Sequence, residues 1–363
     1  MLARIQSLDS LSDREVAAWR ALAGRAAEPN PFFEPDFVLP AARHLPSREV
    51  GLLAVEDGDD WRACMPVARM RVGGLSPGLG TWRHRYCFLG TPLVDRDHLE
   101  PGIAALLRHP LGKGRAPLFM AEAMSDGPVL GALHDCLAEQ KLAMVFEADH
   151  ERASLRRRSN GVYNEGKRAH RRRELQRLWR RLEEQLGDQL EVQEDMGERP
   201  VWEDFLELEA SGWKGRGATA LAADPSHAAF FRELCAGFAD AGRLQMLTLK
   251  AGKRIVAMKC NISAGDTLFC FKIGYDESLS RYSPGVQLER ANVDVFHERR
   301  REEFMDSCAA PDNKMINRLW PDRRNITNLV LSRRGVRVVA RQALRAADAV
   351  RTARKRRTAS TSS

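Results

Sequence analysis

The sequence has 363 residues and a formal net charge of +8, with 44% hydrophobic and 29% charged residues. This balance excludes an intrinsically disordered chain and a collagen-like repeat, and no apolar run approaches the ~18 residues that a membrane-spanning helix requires. The seven cysteines are scattered and never form a C-x-x-C pair, so neither a disulfide framework nor a metal site is expected, and we predict a cytoplasmic protein of more than one domain.

The first 150 residues alternate between strand and helix patterns. ARIQSL is a predicted strand, and helices are predicted over residues 12–27 and 34–44. The strands VGLLAVED, ACMPVARMRV and CFLGTPLV follow, then a helix over 101–108, the strand PLFMAEAM, a helix over 128–140 and the strand LAMVFEA. We interpret residues 1–150 as an N-terminal domain.

A basic segment follows this domain. Residues 152–181 hold twelve Lys and Arg but only two Glu, and the leucines at 175, 178, 182 and 186 recur at helical spacing. The pattern predicts a basic linker and an amphipathic connecting helix over residues 151–188. Arginine clusters also bind phosphate groups, but nucleic acid is not the expected partner.

The second half changes from helical to strand periodicity and back. After a strand over 189–195, helices are predicted from Pro200 to the glycine-rich loop at 212–217 and from Pro225 to Ala241. Three turn-linked strands follow at 244–250, 254–262 and 267–273, then a helix from Pro284 to about Arg300, a strand over 303–307, a helix over 314–320 and a strand over 325–332. We interpret 189–332 as the C-terminal domain.

The tail over residues 333–363 carries ten basic residues and one acid. It has little apolar area, so we expect a solvated tail. Peripheral contact with an anionic surface is the alternative.

The element order of the second half, β-α-α-β-β-β-α-β-α-β, is typical of the GNAT acyltransferase fold. The first half repeats this order approximately, and Pro101-Gly102-Ile103 stands where Pro284-Gly285-Val286 stands in the second half. We therefore predict an α/β (α+β) protein with tandem GNAT-like domains, each a mixed, largely antiparallel sheet flanked by helices.

Several segments carry a family likeness: NPFFEPDF (30–37), GTPLV (90–94), SGWKGRGATAL (211–221), KIGYDESLSRYSPGVQL (272–288) and MDSCAAPDNKMINRLWP (305–321). Together they resemble a two-domain GNAT-like bacterial acetyltransferase family that includes proteins associated with cellulose biosynthesis and exopolysaccharides. That family is related to the Fem-type peptidoglycan aminoacyl transferases. The resemblance implies acyl transfer from acetyl-CoA or another acyl-CoA in the second domain, with a degenerate first domain. Fem-type enzymes tend to carry a Tyr-Lys pair where this chain has Met315-Ile316-Asn317.

The resemblance places the coenzyme A pyrophosphate at the start of the helix that follows the fourth strand. Backbone N–H groups there are unpaired, and the helix dipole is positive. The predicted cofactor-binding residues are Arg281, Ser283, Pro284, Gly285, Val286 and Gln287. A plain helix start is the alternative interpretation of S-P-G.

Acyl transfer requires a base for the attacking group and an acid for the leaving thiolate. We rank Glu209 first and Asp306 second as the base, with Tyr275 or Tyr282 as the acid. Predicted substrate-binding residues are Trp213, Lys214, Lys272, Asp276, Asn313, Asn317 and Trp320. No metal is expected.

The predicted function is an acyl-CoA-dependent N- or O-acyltransferase acting on a small or carbohydrate-linked acceptor. Two alternatives stay open. One is Fem-like aminoacyl transfer to a cell-wall precursor, and the other is a non-catalytic scaffold built from degenerate folds.

Overall fold

The computed structural model describes residues 1–46, 49–72, 76–111, 116–158, 169–196, 200–211 and 221–334. The chain forms two compact units. The first contains Met1–Ala42, Pro46–Glu151 and the chain from Asn325 onward, and the second contains Arg43–Leu45 and Arg152–Arg324. Among the described residues, no helix is long and apolar enough to cross a membrane.

The first unit is a sheet flanked by helices. Its strands are β1 (Leu2–Ser7), β2 (Val50–Asp57), β3 (Asp60–Val72), β4 (Ser76–Thr81), β5 (Leu93–Val94) and β6 (Leu118–Ser125). Its helices are α1 (Asp13–Gly24), α2 (Pro35–His44), α3 (Leu99–Leu111) and α4 (Pro128–Glu139), the last two residues of α2 belonging to the second unit. Strands β1 to β4 are antiparallel neighbours, and β4 pairs parallel with β6.

The predicted strand CFLGTPLV is mostly not a strand. Only Leu93–Val94 is extended in the sheet. The side-chain amide of Asn30 donates to the carbonyls of Leu89 and Thr91, and the backbone amide of Gly90 donates to the carbonyl of Ala123. These backbone groups therefore have partners other than a neighbouring strand.

The second unit begins inside β7 (Leu142–Arg156), so residues 152–156 of the predicted linker are a strand. Its other elements are α5 (Ala169–Leu186), β8 (Leu190–Asp195), α6 (Trp202–Ser211), α7 (Pro225–Asp240), β9 (Leu244–Ala251), β10 (Arg254–Ala264), β11 (Thr267–Tyr275), α8 (Pro284–Glu298), β12 (Phe304–Asp306) and α9 (Lys314–Leu319). The strand order is β7-β12-β11-β10-β9-β8, with β11 and β12 parallel and the other pairs antiparallel.

The last strand, β13 (Asp322–Arg333), corrects the predicted domain boundary at 332. From Ile326 to Ser332 it pairs antiparallel with β6, so the chain returns to the first unit at Asn325. The Arg334 amide continues this by donating to the carbonyl of Lys141. The predicted mixed α/β class, with a sheet flanked by helices, is confirmed.

Two apolar clusters hold α8 on the sheet of the second unit. Leu288 and Val295 pack with Leu182 of α5 and with β9 and β10, while Val293 and Phe296 pack with Met305 and α9. Fully burying one such side chain contributes roughly 1.5–3 kcal/mol. The position of α8 relative to β11 is therefore fixed along most of its length.

Candidate functional site

The parallel strands β11 and β12 stay paired for only three residues, from Thr267 opposite Phe304 to Phe269 opposite Asp306. On its other side β11 carries a bulge. Asn261 pairs with Cys270 and Cys260 pairs with Lys272, which leaves Phe271 as the extra residue. A bulge bends its strand, and ligands of open α/β sheets bind beyond the carboxyl ends of parallel strands. The candidate site is built here, between the end of β12 and the start of α8.

The N-terminus of α8 points its first amides out of the helix. Ser283 precedes it in the left-handed conformation (φ 53°), and within the described residues its side chain makes no capping hydrogen bond. The Ser283 carbonyl accepts from the amides of Val286 and Gln287 at 3.0 and 3.1 Å. Pro284 has no N–H and the Val286 amide donates to Ser283, so the Gly285 amide is the donor nearest the terminus among the described residues. Such a terminus can bind an anion.

Gly285 is also required by the packing of Tyr275. A Cβ atom at Gly285 would lie 3.1 Å from Cδ1 of the Tyr275 ring. The glycine therefore lets the last residue of β11 lie directly against the first turn of α8. This brings a predicted acid, Tyr275, next to the predicted pyrophosphate site.

Arg281 and Tyr282 are tied to the connecting helix. The Arg281 guanidinium lies 4.7 Å above the Tyr282 ring and donates to Oε1 of Gln185 at 2.7 Å, and the Tyr282 hydroxyl donates to the same oxygen at 3.3 Å. Arg281 thus lies one turn before α8. The Tyr282 hydroxyl is directed toward α5, which favours Tyr275 over Tyr282 as the acid.

Glu209 and Lys272 lie on one face of β11. Glu209 lies in the last turn of α6, is 3% exposed and accepts a hydrogen bond of 2.8 Å from the Leu221 backbone amide. Its Cβ would lie 3.7 Å from a Cβ placed on Gly274, so α6 approaches the strand over this glycine. Since side chains alternate along a strand, Lys272 is on the same face as Gly274. The structure therefore places a buried carboxylate and a lysine on the same face of β11 just past the bulge.

Asp306 is fully buried and enclosed by partners. Its Oδ2 accepts from Arg152 at 2.6 Å and from Arg324 at 2.7 Å, and its Oδ1 accepts from the Cys308 amide at 2.9 Å. Burial raises the pKa of Asp306, but the charges of Arg152 and Arg324 outweigh it and hold this pKa below its usual value. A carboxylate held in this way is a poor proton acceptor, so we do not retain Asp306 as a base.

Asp276 has a structural role as a helix cap. It precedes the 3-10 helix Glu277–Tyr282, accepts from the Ser278 amide at 3.0 Å and pairs with Arg254 at 2.7 Å. Although burial raises the pKa of Asp276, hydrogen bonds from Ser278 and Arg254 hold it below its usual value. This helix cap accounts for the aspartate without a ligand.

The residues predicted on and around α9 are also structural. The Asn313 side chain caps the helix by accepting from the Ile316 backbone amide at 3.2 Å, and the side-chain amide of Asn317 donates to the carbonyl of Pro311 at 2.7 Å. Trp320 is fully buried in the cluster beneath α8 and α9. Trp213 and Lys214 lie outside the described residues.

A buried polar network under α8 has no counterpart among the predicted site residues. Lys259 of β10 and Glu289 of α8 form an ion pair of 2.7 Å, with their side chains 4% and 0% exposed. Burial acts to lower the pKa of Lys259, but Cys270 and Glu289 raise it above its usual value, so the lysine stays charged. The one sequence signal was a lysine inside the apolar strand RIVAMKCNI.

This network continues across the sheet. The side-chain amide of Asn292 donates to the Glu289 carboxylate at 3.2 Å. The side-chain amide of Asn261 donates to the side-chain oxygens of Asn292 and Gln245, each at 2.8 Å. Polar groups of β9, β10 and α8 are thus linked in one chain of hydrogen bonds. The network fixes α8, and with it the candidate anion site at its N-terminus.

Comparison with known proteins identifies the class of this domain. Residues 169–311 match the family model described as "Acetyltransferase (GNAT) domain". The matched segment lies within the second unit, where the element order predicts a GNAT-type domain. A search among curated proteins finds no match.

Solved structures with this fold extend beyond that domain. A conserved protein of unknown function from Bacteroides thetaiotaomicron VPI-5482 is 11% identical, covers 90% of this chain and 99% of its own, with a TM-score of 0.56. The C-terminal domain of a putative lysylphosphatidylglycerol synthetase from Agrobacterium fabrum is 14% identical, with coverages of 92% and 95% and a TM-score of 0.56. FemX is 9% identical, with coverages of 86% and 91% and a TM-score of 0.53. At these identities the similarity shows the fold alone.

Proposed function

We propose that this protein transfers an acyl group, with acetyl the first to test, from acyl-CoA to an amine or hydroxyl. The observation that carries the proposal is the uncapped N-terminus of α8. It follows β11 just past the point where β12 ends, inside the region that matches the GNAT domain model. The Gly285 amide, in the first turn of α8, would bind the pyrophosphate, and Arg281 one turn earlier would add a positive charge.

The reaction would use groups on both sides of β11. The acceptor nitrogen or oxygen attacks the thioester carbonyl carbon, a C–N or C–O bond forms, and the C–S bond breaks. The Glu209 carboxylate would take the proton from the acceptor, and the Tyr275 hydroxyl would protonate the departing coenzyme A thiolate. Support for Glu209 is its burial beside Gly274, on the face of β11 that also carries Lys272, and support for Tyr275 is its contact with the first turn of α8.

The acceptor is proposed to be a small or carbohydrate-linked amine or hydroxyl. A role in cellulose or exopolysaccharide synthesis, a degenerate first domain and a cytoplasmic location stay predictions of the sequence. Lys214 and Trp213 are retained as acceptor-pocket candidates because the resemblance implies them.

Mass spectrometry tests the proposal directly. The protein is incubated with acetyl-CoA and a panel of small amines and amino sugars, and we expect an acetylated product and free coenzyme A. Glu209→Gln should lower the rate by about a hundredfold or more, the usual contribution of a general base. Glu207→Gln, an exposed glutamate on the same helix, is the matched control and should retain the parent rate. The absence of both acetyl-CoA binding and turnover would refute the proposal and favour a scaffold.

Aminoacyl transfer is the second candidate because α5 displays unpaired arginines. The side chains of Arg173, Arg177, Arg180 and Arg181 are exposed, and they make no ion pair among the described residues. Such a face suits RNA phosphates. Transfer from an aminoacyl-tRNA without turnover of acetyl-CoA would establish this alternative.

A further inference from the structure

Three arginines lie along β12: two of them bind the carboxylate of Asp306, its last residue, and the third lies against Phe304, its first. Arg152 and Arg324 both bind Oδ2 of Asp306, at 2.6 and 2.7 Å, from the neighbouring strands β7 and β13. The other oxygen of Asp306 accepts the Cys308 amide. One buried negative charge therefore serves two guanidinium groups.

The third arginine joins through an aromatic ring. Arg156 of β7 lies directly opposite Phe304 of β12 in register, and its guanidinium is 5.4 Å from the Phe304 ring centre. The Arg324 guanidinium is 5.5 Å from the same ring centre. Within the described residues the Arg156 side chain pairs with no carboxylate. Asp322 of β13 instead accepts hydrogen bonds from the Arg156 backbone amide and from the side chain of Arg158.

Arg324 keeps donors available. Its side chain is only 10% exposed, and within the described residues it uses one nitrogen, Nη1, for Asp306. The hydroxyl of Ser154, which lies opposite Asp306 in register, is fully buried and has no hydrogen-bond partner in the described part of the chain. Partly buried positive charge and an unsatisfied hydroxyl are both costly unless a ligand compensates them.

We propose that Arg156 and Arg324, supported by Arg152 and Ser154, bind a carboxylate or phosphate group carried by the acceptor. Asp306, which Arg324 binds, lies opposite Phe269, the last residue of β11 paired with β12, so the Arg324 end of this anion site adjoins the place where the acyl group would be delivered. Arg156 lies two residues back, at Phe304. The assignment to the acceptor rests on the proposed acyl transfer. The anion site itself follows from the arginine geometry. Guanidinium groups bind both carboxylates and phosphates through paired N–H donors.

Direct binding tests the site without any turnover. Inorganic phosphate and acetate are titrated by calorimetry into the parent, Arg156→Gln and Arg324→Gln. We expect each variant to bind inorganic phosphate about tenfold or more weakly, the loss of one charge-assisted hydrogen bond. Arg299→Gln, at an exposed arginine directly after α8, is the matched control and should bind as the parent does. Equal affinity in all four proteins would overturn the proposal.

Matched acceptors identify which substrate carries the anion. The pairs are β-alanine with its amide and glucosamine 6-phosphate with glucosamine. We expect kcat/KM of the parent to favour the charged member about tenfold, and this ratio to fall toward one in Arg324→Gln and recover partly in Arg324→Lys. A parent that favours succinyl-CoA over acetyl-CoA, with no preference among acceptors, would move the anion to the acyl group and overturn the assignment.

The melting temperature and far-ultraviolet circular dichroism of each variant establish that it is folded. If no acceptor is acylated but phosphate binding depends on Arg156 and Arg324, the proposed function fails while the anion site stands. If transfer occurs without any dependence on these arginines, the anion site fails while the proposed function stands.

Discussion

Replacing Glu289 by Gln should destabilise the second unit strongly. The substitution keeps the shape of the side chain but removes the charge that compensates Lys259, whose side chain is 4% exposed and whose Nζ lies 2.7 Å from Glu289. Breaking a buried ion pair from one side leaves an uncompensated charge and typically costs about 3–5 kcal/mol. We expect a loss of that size in the free energy of unfolding, measured by urea titration.

The double variant Lys259→Met/Glu289→Leu separates charge burial from simple disruption. Replacing both partners of a buried pair by apolar side chains is often neutral or stabilising. Here the replacement also removes the hydrogen bond of Asn292 to Glu289, a loss of about 1 kcal/mol. The double variant should therefore be clearly more stable than Glu289→Gln.

Hydrogen exchange followed by mass spectrometry locates the effect. Peptides from β10 and α8 should lose protection in Glu289→Gln, and peptides from the first unit should not, because the pair lies wholly within the second unit. A Glu289→Gln protein within about 1 kcal/mol of the parent, or a double variant no better than the single one, would refute this account of the network.

Three further predictions follow from other positions. Gly285→Ala places a Cβ 3.1 Å from Tyr275 and should weaken acetyl-CoA binding about tenfold by calorimetry, with parental affinity contradicting the assignment. Burial lowers the pKa of His84 to about 3, below its unfolded value, so stability should fall as the pH drops from about 6.5 toward 3. His84→Gln should flatten that part of the urea-midpoint profile, and an unchanged slope would contradict the effect. Lys214→Ala should lower kcat/KM about tenfold, or about 1.4 kcal/mol, in steady-state kinetics, with the melting temperature unchanged.

The hairpins of the second unit could be predicted because their turns are encoded locally. Gly252 and Gly265 both have positive φ, 54° and 52°, and each joins two strands whose pairing starts at the turn. In contrast, β4 has the sequence SPGLGT, which carries turn residues and little β propensity. It forms a strand because it pairs with β3 and β6. Its glycine is needed because β6 lies so close that a Cβ on Gly80 would be 2.7 Å from the Met120 carbonyl oxygen. That requirement comes from a distant segment.

The strand with which β13 pairs could not be predicted from local sequence patterns. The apolar run over residues 325–332 predicts a strand, but its pairing with β6 joins positions about two hundred residues apart in sequence, such as Ile326 with Ser125. Register of this kind depends on the fold of the whole chain. The predicted boundary at 332 followed sequence order, whereas the structure returns this strand to the first unit.

The candidate site was predictable where the backbone defines it and less so where side chains do. S-P-G marks a helix start at any position, and the start of α8 is where the sequence predicts it. Asp276 and Asn313 follow strands or precede helices, where the same residue types serve as caps and as ligands. Their hydrogen bonds identify them as caps. Glu289 resembles a surface charge of a helix until the strand beneath it supplies Lys259.

The arrangement around β11 explains why positive charge is concentrated at both sides of the proposed reaction. The N-terminus of α8 presents backbone donors on one side, and Arg156 and Arg324 present guanidinium groups beside Phe304 of β12. The helix terminus and the arginines would both attract anions. Each is held in place by an ion pair within the protein: the Lys259–Glu289 pair holds α8, and Asp306 holds Arg324. Groups fixed in advance lose little entropy on binding. If both proposals hold, a substrate pair with a negative charge at each end would be aligned along β11 between these two groups.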